Sequence, residues 1–102
     1  MVSVIIKPST SKTKKFTAIF YDDKKKKIKT THFGAKGSSD FTIHGDEKRK
    51  QRYLDRHKAR ENWEDFKSAG SLSRYILWNK KSLKSSIADY KKRFNLKSFR
   101  QG

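Results

Sequence analysis

The scarcity of apolar residues is the tightest constraint on this chain. Only 32% of its 102 residues are hydrophobic, against 36% charged. A fold built from such material has to be closed by a few large side chains. Seven Phe, four Tyr and two Trp are available for that task, and each aromatic buries far more area than an aliphatic residue. The expectation is one domain with a thin core, near the stability threshold for its size.

The apolar residues fall into two regimes. In Phe16-Thr-Ala-Ile-Phe-Tyr21 they alternate, with Phe16, Ala18 and Phe20 on one face, which predicts a strand. Lys27–Phe33 reads as its hairpin partner. Asp22–Lys25 forms the turn, and Lys24, Lys25, Lys26 and Lys27 stand at the tip. Val2–Ile6 is a short β-rich run stopped by Pro8, and residues 1–13 read as an N-terminal strand or arm. Gly34-Ala-Lys-Gly37 breaks the sheet, and Phe41-Thr-Ile43 suits a third short strand or an extended packing segment.

Helical periodicity begins near Asp46, whose side chain can cap a helix running to about Asn62. A second helix is expected over Leu72–Asn79, capped by Ser71. A third is expected over Leu83–Phe94, capped by Ser82, where Leu83, Ile87, Tyr90 and Phe94 fall on one narrow face. The fold class is therefore α+β: an N-terminal antiparallel hairpin or small sheet followed by three short helices. Residues 14–96 form the domain and 97–102 a flexible basic tail.

Charge is the strongest functional signal. The chain carries 27 Lys and Arg against 10 Asp and Glu, a formal net charge of +17. Residues 1–34 hold +7, residues 35–70 hold +2, and residues 71–102 hold +8. Such a sum repels itself unless a polyanion neutralises it. Three clusters could supply phosphate contacts. The first is the hairpin tip, Lys24 to Lys27, which also reads as a nuclear-localisation-like run or a plain exposed turn. The second is Arg49, Arg52, Arg56 and Arg60 along one side of the first helix, where guanidinium forks suit phosphate oxygens. A solvated face paired with Glu47, Asp55, Glu61, Glu64 and Asp65 is the competing reading there. The third is the C-terminal set Lys80, Lys81, Lys84, Lys91, Lys92 and Arg93, continued by Lys97 and Arg100. Lys36, in the Gly34–Gly37 turn, is a further candidate. That turn could cradle phosphate, but a hairpin exit needing glycine dihedrals explains it more simply.

Trp63, Tyr75, Trp78 and Tyr90 could stack on bases, although their spacing suits a core better. No base-reading motif is present, so binding without sequence preference is the expectation. The absence of cysteine excludes disulfides, zinc–thiolate sites and cysteine nucleophiles. His32, His44 and His57 lie on different elements without metal-ligand spacing. Asp40, Asp46 and Asp55 would be the carboxylates of a magnesium-dependent nuclease, but no motif accompanies them. The expectation is a non-enzymatic protein with no cofactor, no small-molecule substrate and no membrane association.

Four stretches taken in order carry a family resemblance: His32-Phe-Gly-Ala-Lys-Gly-Ser-Ser-Asp-Phe-Thr-Ile-His44, Lys48–Trp63, Ala69–Asn79 and Ser82–Leu96. Over residues 14–96 the chain resembles small basic proteins encoded by nucleocytoplasmic large DNA viruses. The resemblance supplies no catalytic residues. It implies a viral origin and a virion component present in host cytoplasm or nucleus during infection. Expected partners are nucleic acid, DNA before RNA, or acidic protein surfaces such as capsid proteins. The functions that follow are sequence-independent packaging of nucleic acid or a minor capsid or cement role inside a shell.

Overall fold

Alternation places Ala18 and Phe20 on one side of a strand, and that side becomes the floor of the core. The structure, a computed structural model, describes residues 1–99. Three strands, β1 (Ser3–Pro8), β2 (Lys14–Tyr21) and β3 (Lys27–Ala35), are followed by α1 (Phe41–His44) and α2 (Glu47–His57). Then come α3 (Ala69–Leu72), continuing into a π-helical turn at Ser73–Leu77, α4 (Leu83–Arg93) and a two-residue strand β4 (Lys97–Ser98). The sheet order is β3-β2-β1-β4. Strands β1, β2 and β3 pair antiparallel, and β4 joins β1 in parallel. The chain is α+β, with its long strands in the N-terminal half.

The core is as thin as the composition requires. Val4, Ala18, Phe20 and Phe33 of the sheet meet Leu72, Ile76 and Leu77 of the α3 segment and Tyr90 of α4. Burying a side chain such as Phe20 or Leu72 stabilises the fold by about 1.5–3 kcal/mol. Phe66, partly buried, meets Phe20 edge-on at 5.7 Å between ring centroids. The Tyr90 hydroxyl donates to the Phe66 carbonyl at 2.5 Å, so the one polar atom of this buried ring is satisfied. Burial raises the Tyr90 phenol pKa, and the nearby Asp65 charge adds to the shift.

Several boundaries differ from the sequence expectations. Of the two readings of the N-terminal run, strand and arm, residues 3–8 take the first: β1 lies inside the sheet, from Ser3 opposite Tyr21 to Pro8 opposite Phe16. Pro8 ends the strand because it has no N–H for the ladder. Lys97 and Ser98, expected in a flexible tail, pair with Ser3 and Val4, while Arg100 to Gly102 lie outside the described residues.

Phe41-Thr-Ile43 is helical rather than extended. Asp40 caps it by accepting from the Thr42 N–H at 2.9 Å, and left-handed Gly45 closes it with an N–H to the Phe41 carbonyl. Helix α2 ends at His57 rather than Asn62. The Glu61 carboxylate is drawn away to His57 Nδ1 and Trp63 Nε1, and it lies 3.0 Å from the position a Cβ at Gly70 would take.

The next helix is capped by Ser68, not Ser71, and starts earlier than expected. Ser71 is fully buried, with its hydroxyl donating to the Asn62 carbonyl. The π-helical turn closes with the Trp78 N–H on the Ser73 carbonyl at 3.0 Å. Helix α4 follows its periodicity closely: Ser82 caps it, Tyr90 is fully buried, and Leu83, Ile87 and Phe94 pack against the core. Among the described residues no helix is long and apolar enough to cross a membrane.

Candidate nucleic-acid interface

Helix α2 is built to present arginines. Asp46 accepts from the backbone N–H groups of Lys48 and Arg49 at 3.0 and 3.3 Å, and Glu47 occupies the positive N-terminal turn. At about 100° per residue, Arg49, Arg52 and Arg56 fall within roughly 60° of one another. Tyr53 and His57 flank this row on its inner side. Tyr53 is buried and stacks on Trp78, with ring centroids 4.5 Å apart and planes 5° from parallel. His57 stacks on Tyr53 at 4.3 Å, and His44 leans against Trp78 at 5.4 Å. This aromatic column clamps α2 to the end of the α3 segment. Burial, reinforced by the Glu61 charge, raises the Tyr53 phenol to about 12, so it stays protonated at neutral pH.

The clamp leaves an open groove of about 790 Å³ between α2 and the loop before α1. Arg49, Arg52 and Arg56 line it together with Ser38, Ser39, Trp78 and Asp55, its lone carboxylate. All three arginines are exposed, and among the described residues none has a carboxylate within ion-pair distance. The expected acidic partners are engaged by other side chains or backbone, or form no ion pair with these arginines. Glu61 holds His57 and Trp63, Asp55 accepts from Gln51 at 3.0 Å, and Asp65 caps a turn through the Lys67 N–H. Glu47 and Glu64 make no ion pair with an arginine among the described residues. The row is thus three guanidiniums in water, not a paired face.

Arg60 departs from the row. It lies beyond the end of α2, in a turn where its N–H reaches the His57 carbonyl. Lys36 is exposed in the turn leading to Ser38, but two amides of that turn are engaged. The Lys36 N–H donates to the Thr13 carbonyl and the Ser38 N–H to the Ala35 carbonyl. With Gly34 at φ +79° and Gly37 at φ +86°, the turn is a hairpin exit that requires glycine.

The hairpin tip is rigidly shaped. The Asp22 carboxylate accepts from the N–H groups of Lys24 and Lys26 at 2.9 Å each, and Lys25 sits at φ +63°. Lys24, Lys25, Lys26 and Lys27 are all exposed. The C-terminal set does not form one surface. The stem of Lys81 packs beside Gly45, and Lys80 lies near it between α1 and α4. Lys84 and Lys91 border an apolar groove of Leu83, Ile87 and Ala88, with Lys91 Nζ donating to Ser98 Oγ at 2.8 Å. Lys92 is exposed, whereas Arg93 pairs with Asp89 at 3.4 Å and covers the Tyr75 ring at 4.6 Å. Burial works to raise the Asp89 pKa, but the Asn79 hydrogen bond and the Arg93 charge outweigh it and hold the group below its usual value.

The aromatic residues are committed to the protein. Tyr90 is in the core, Trp63 and Tyr75 flank the Arg74 guanidinium at 5.5 and 4.9 Å, and Trp78 is stacked by Tyr53. Sequence reasoning identified the arginines but not Ser38, Ser39 or the place of Trp78 beside them. The long-range stack on Tyr53 brings Trp78 beside the arginines.

The carboxylates suggested for a nuclease are dispersed in role. Asp40 is buried against Lys15 Nζ at 2.5 Å, Asp46 caps α2, and Asp55 holds Gln51. Among the described residues no three His, Asp or Glu side chains gather as a metal site.

No curated protein and no solved structure matches the chain. Residues 4–57 do match a family of unknown function, DUF5754, and this span runs from β1 to the last residue of the arginine helix. With just over half of its length matched, the chain belongs to that family.

Proposed function

We propose that this protein binds the phosphate backbone of nucleic acid without sequence preference, and that α2 supplies its principal contact. The observation that carries the reading is the row Arg49, Arg52 and Arg56, exposed and without carboxylate partners along an open groove. A net charge of +17 adds attraction over a longer range. Guanidinium forks engage phosphate bidentately, and released counterions supply the driving force. The rings beside the groove are stacked on one another, so affinity rests on phosphates, which carry no sequence information. The role is binding rather than catalysis. The sequence resemblance makes packaging in a virion its natural setting, with DNA the expected polymer.

A second reading is docking on acidic protein, such as the inner face of a shell. It draws on the apolar strip Leu83, Ile87 and Ala88 between Lys84 and Lys91, which suits an acidic amphipathic surface. The incorporation of β1 into the sheet removes the N-terminal arm that this role would have used.

Replacing Arg52 and Arg56 by Ala tests the first reading. Affinity should fall alike on unrelated duplex sequences, and the salt slope should shrink by about 0.9 for each phosphate no longer neutralised. Unchanged binding by a variant with an intact circular-dichroism spectrum would make the row a structural face only.

A further inference from the structure

The phosphate-binding candidates do not converge on one surface. The arginine groove shares Ser38 and Trp78 with a second depression that also includes Lys14 and Ala35. Lys14 and Ala35 are paired at the open end of the β2–β3 hairpin. The four tip lysines stand at its other end. Seven residue steps separate Lys14 from Tyr21, the partner of Lys27, about 23 Å at a strand rise of about 3.3 Å per residue, and the turn carries Lys24 to Lys26 beyond that. The molecule measures 42 × 27 × 24 Å, so the hairpin spans a large part of it. The two cationic clusters therefore lie toward opposite ends of the β2–β3 hairpin.

The hairpin between them is more than two Debye lengths long at physiological salt, where one length is about 8 Å. Each cluster consequently attracts phosphate independently. Both are also held in shape. The tip is fixed by the Asp22 carboxylate on two backbone N–H groups, and the groove by the Tyr53–Trp78 stack.

From this geometry we infer that the protein is a bivalent bridge, binding one nucleic-acid segment at the arginine groove and a second at the Lys24–Lys27 tip. The inference rests on the proposed phosphate-backbone binding and adds to it that two segments are held at once. Bridging two distant stretches of one polymer compacts it, because the second binding event becomes intramolecular.

The experiment uses two random-sequence duplexes, one immobilised on beads and one fluorescent, with the full chain as the linker. Single-duplex binding is measured in parallel by fluorescence anisotropy. Wild type should retain the fluorescent duplex on the beads. Replacing Lys24, Lys25, Lys26 and Lys27 by Gln should cut retention by about tenfold or more, while single-duplex binding persists through the groove. The complementary triple replacement of Arg49, Arg52 and Arg56 by Ala should also abolish retention. Wild type that binds single duplexes but retains no second one would overturn the bridge and leave the binding reading intact. Retention that survives in the tip variant would overturn it too, since bridging would then run through another surface or through self-association. Failure of wild type to bind a single duplex would overturn both.

Discussion

Asp40→Ala should lower the unfolding free energy by about 3–5 kcal/mol, because it leaves a buried ammonium without its counter-ion. Lys15 Nζ and Asp40 Oδ2 are 2.5 Å apart, with side chains only 14% and 3% exposed. The same carboxylate accepts from the Thr42 N–H and from the Thr42 hydroxyl, so the variant also loses the cap of α1. Cap loss alone costs about 1 kcal/mol. Urea denaturation measures the total. A Lys15→Met change in the Asp40→Ala background should recover part of it, since the stranded charge is removed. If the two single variants and the double variant were simply additive, the pair would not be coupled as described.

The second large effect is expected at Phe20. Its ring is fully buried at the centre of the sheet, between the strands and Phe66. Phe20→Ala should cost about 3–5 kcal/mol through reduced burial and the cavity left behind. In a domain of about this size each kcal/mol lowers Tm by about 4–8 °C. Total stabilities of small domains are about 5–15 kcal/mol, so much of the variant could be unfolded at physiological temperature. Phe20→Leu, which keeps most of the volume, should cost clearly less. Equal losses for Ala and Leu would mean that the site requires an aromatic edge rather than bulk. Differential scanning fluorimetry of the two variants separates these cases.

The parts of the fold legible in the sequence are those set by local pattern. The β2–β3 hairpin follows from alternation and its turn residues, and α4 from a clean helical stripe behind Ser82. Helix α1 carries its own signals, Asp40 before it and Gly45 after it. They are masked by the β-like run Phe41-Thr-Ile43, whose three residues are too few to show a period.

The ends of α2 and α3 depend on side-chain hydrogen bonds that helical periodicity does not reveal. Glu61 is pulled to Trp63, and Ser71 is buried beneath Asn62, which leaves Ser68 as the cap. Strand β1 belongs to the sheet through pairing with β2, which a six-residue run before a proline does not announce by itself.

The candidate site divides in the same way. The arginine row is visible as helical spacing. Its freedom from acidic partners is not, because Asp55 and Glu61 have several neighbours one helical turn away and spacing alone does not say that they choose Gln51 and His57. The opposed placement of groove and hairpin tip follows from the sheet and the Tyr53–Trp78 stack, both built by residues far apart in the sequence.

The most direct test of phosphate-backbone binding is a salt titration of wild-type protein on a labelled random-sequence DNA duplex, with a matched RNA duplex beside it. The account predicts tight binding at low salt, a log–log salt dependence with a slope of about −0.9 per phosphate neutralised, and equal affinity across unrelated sequences. Weak binding at low salt despite the +17 charge, or an affinity that does not change with salt, would contradict it.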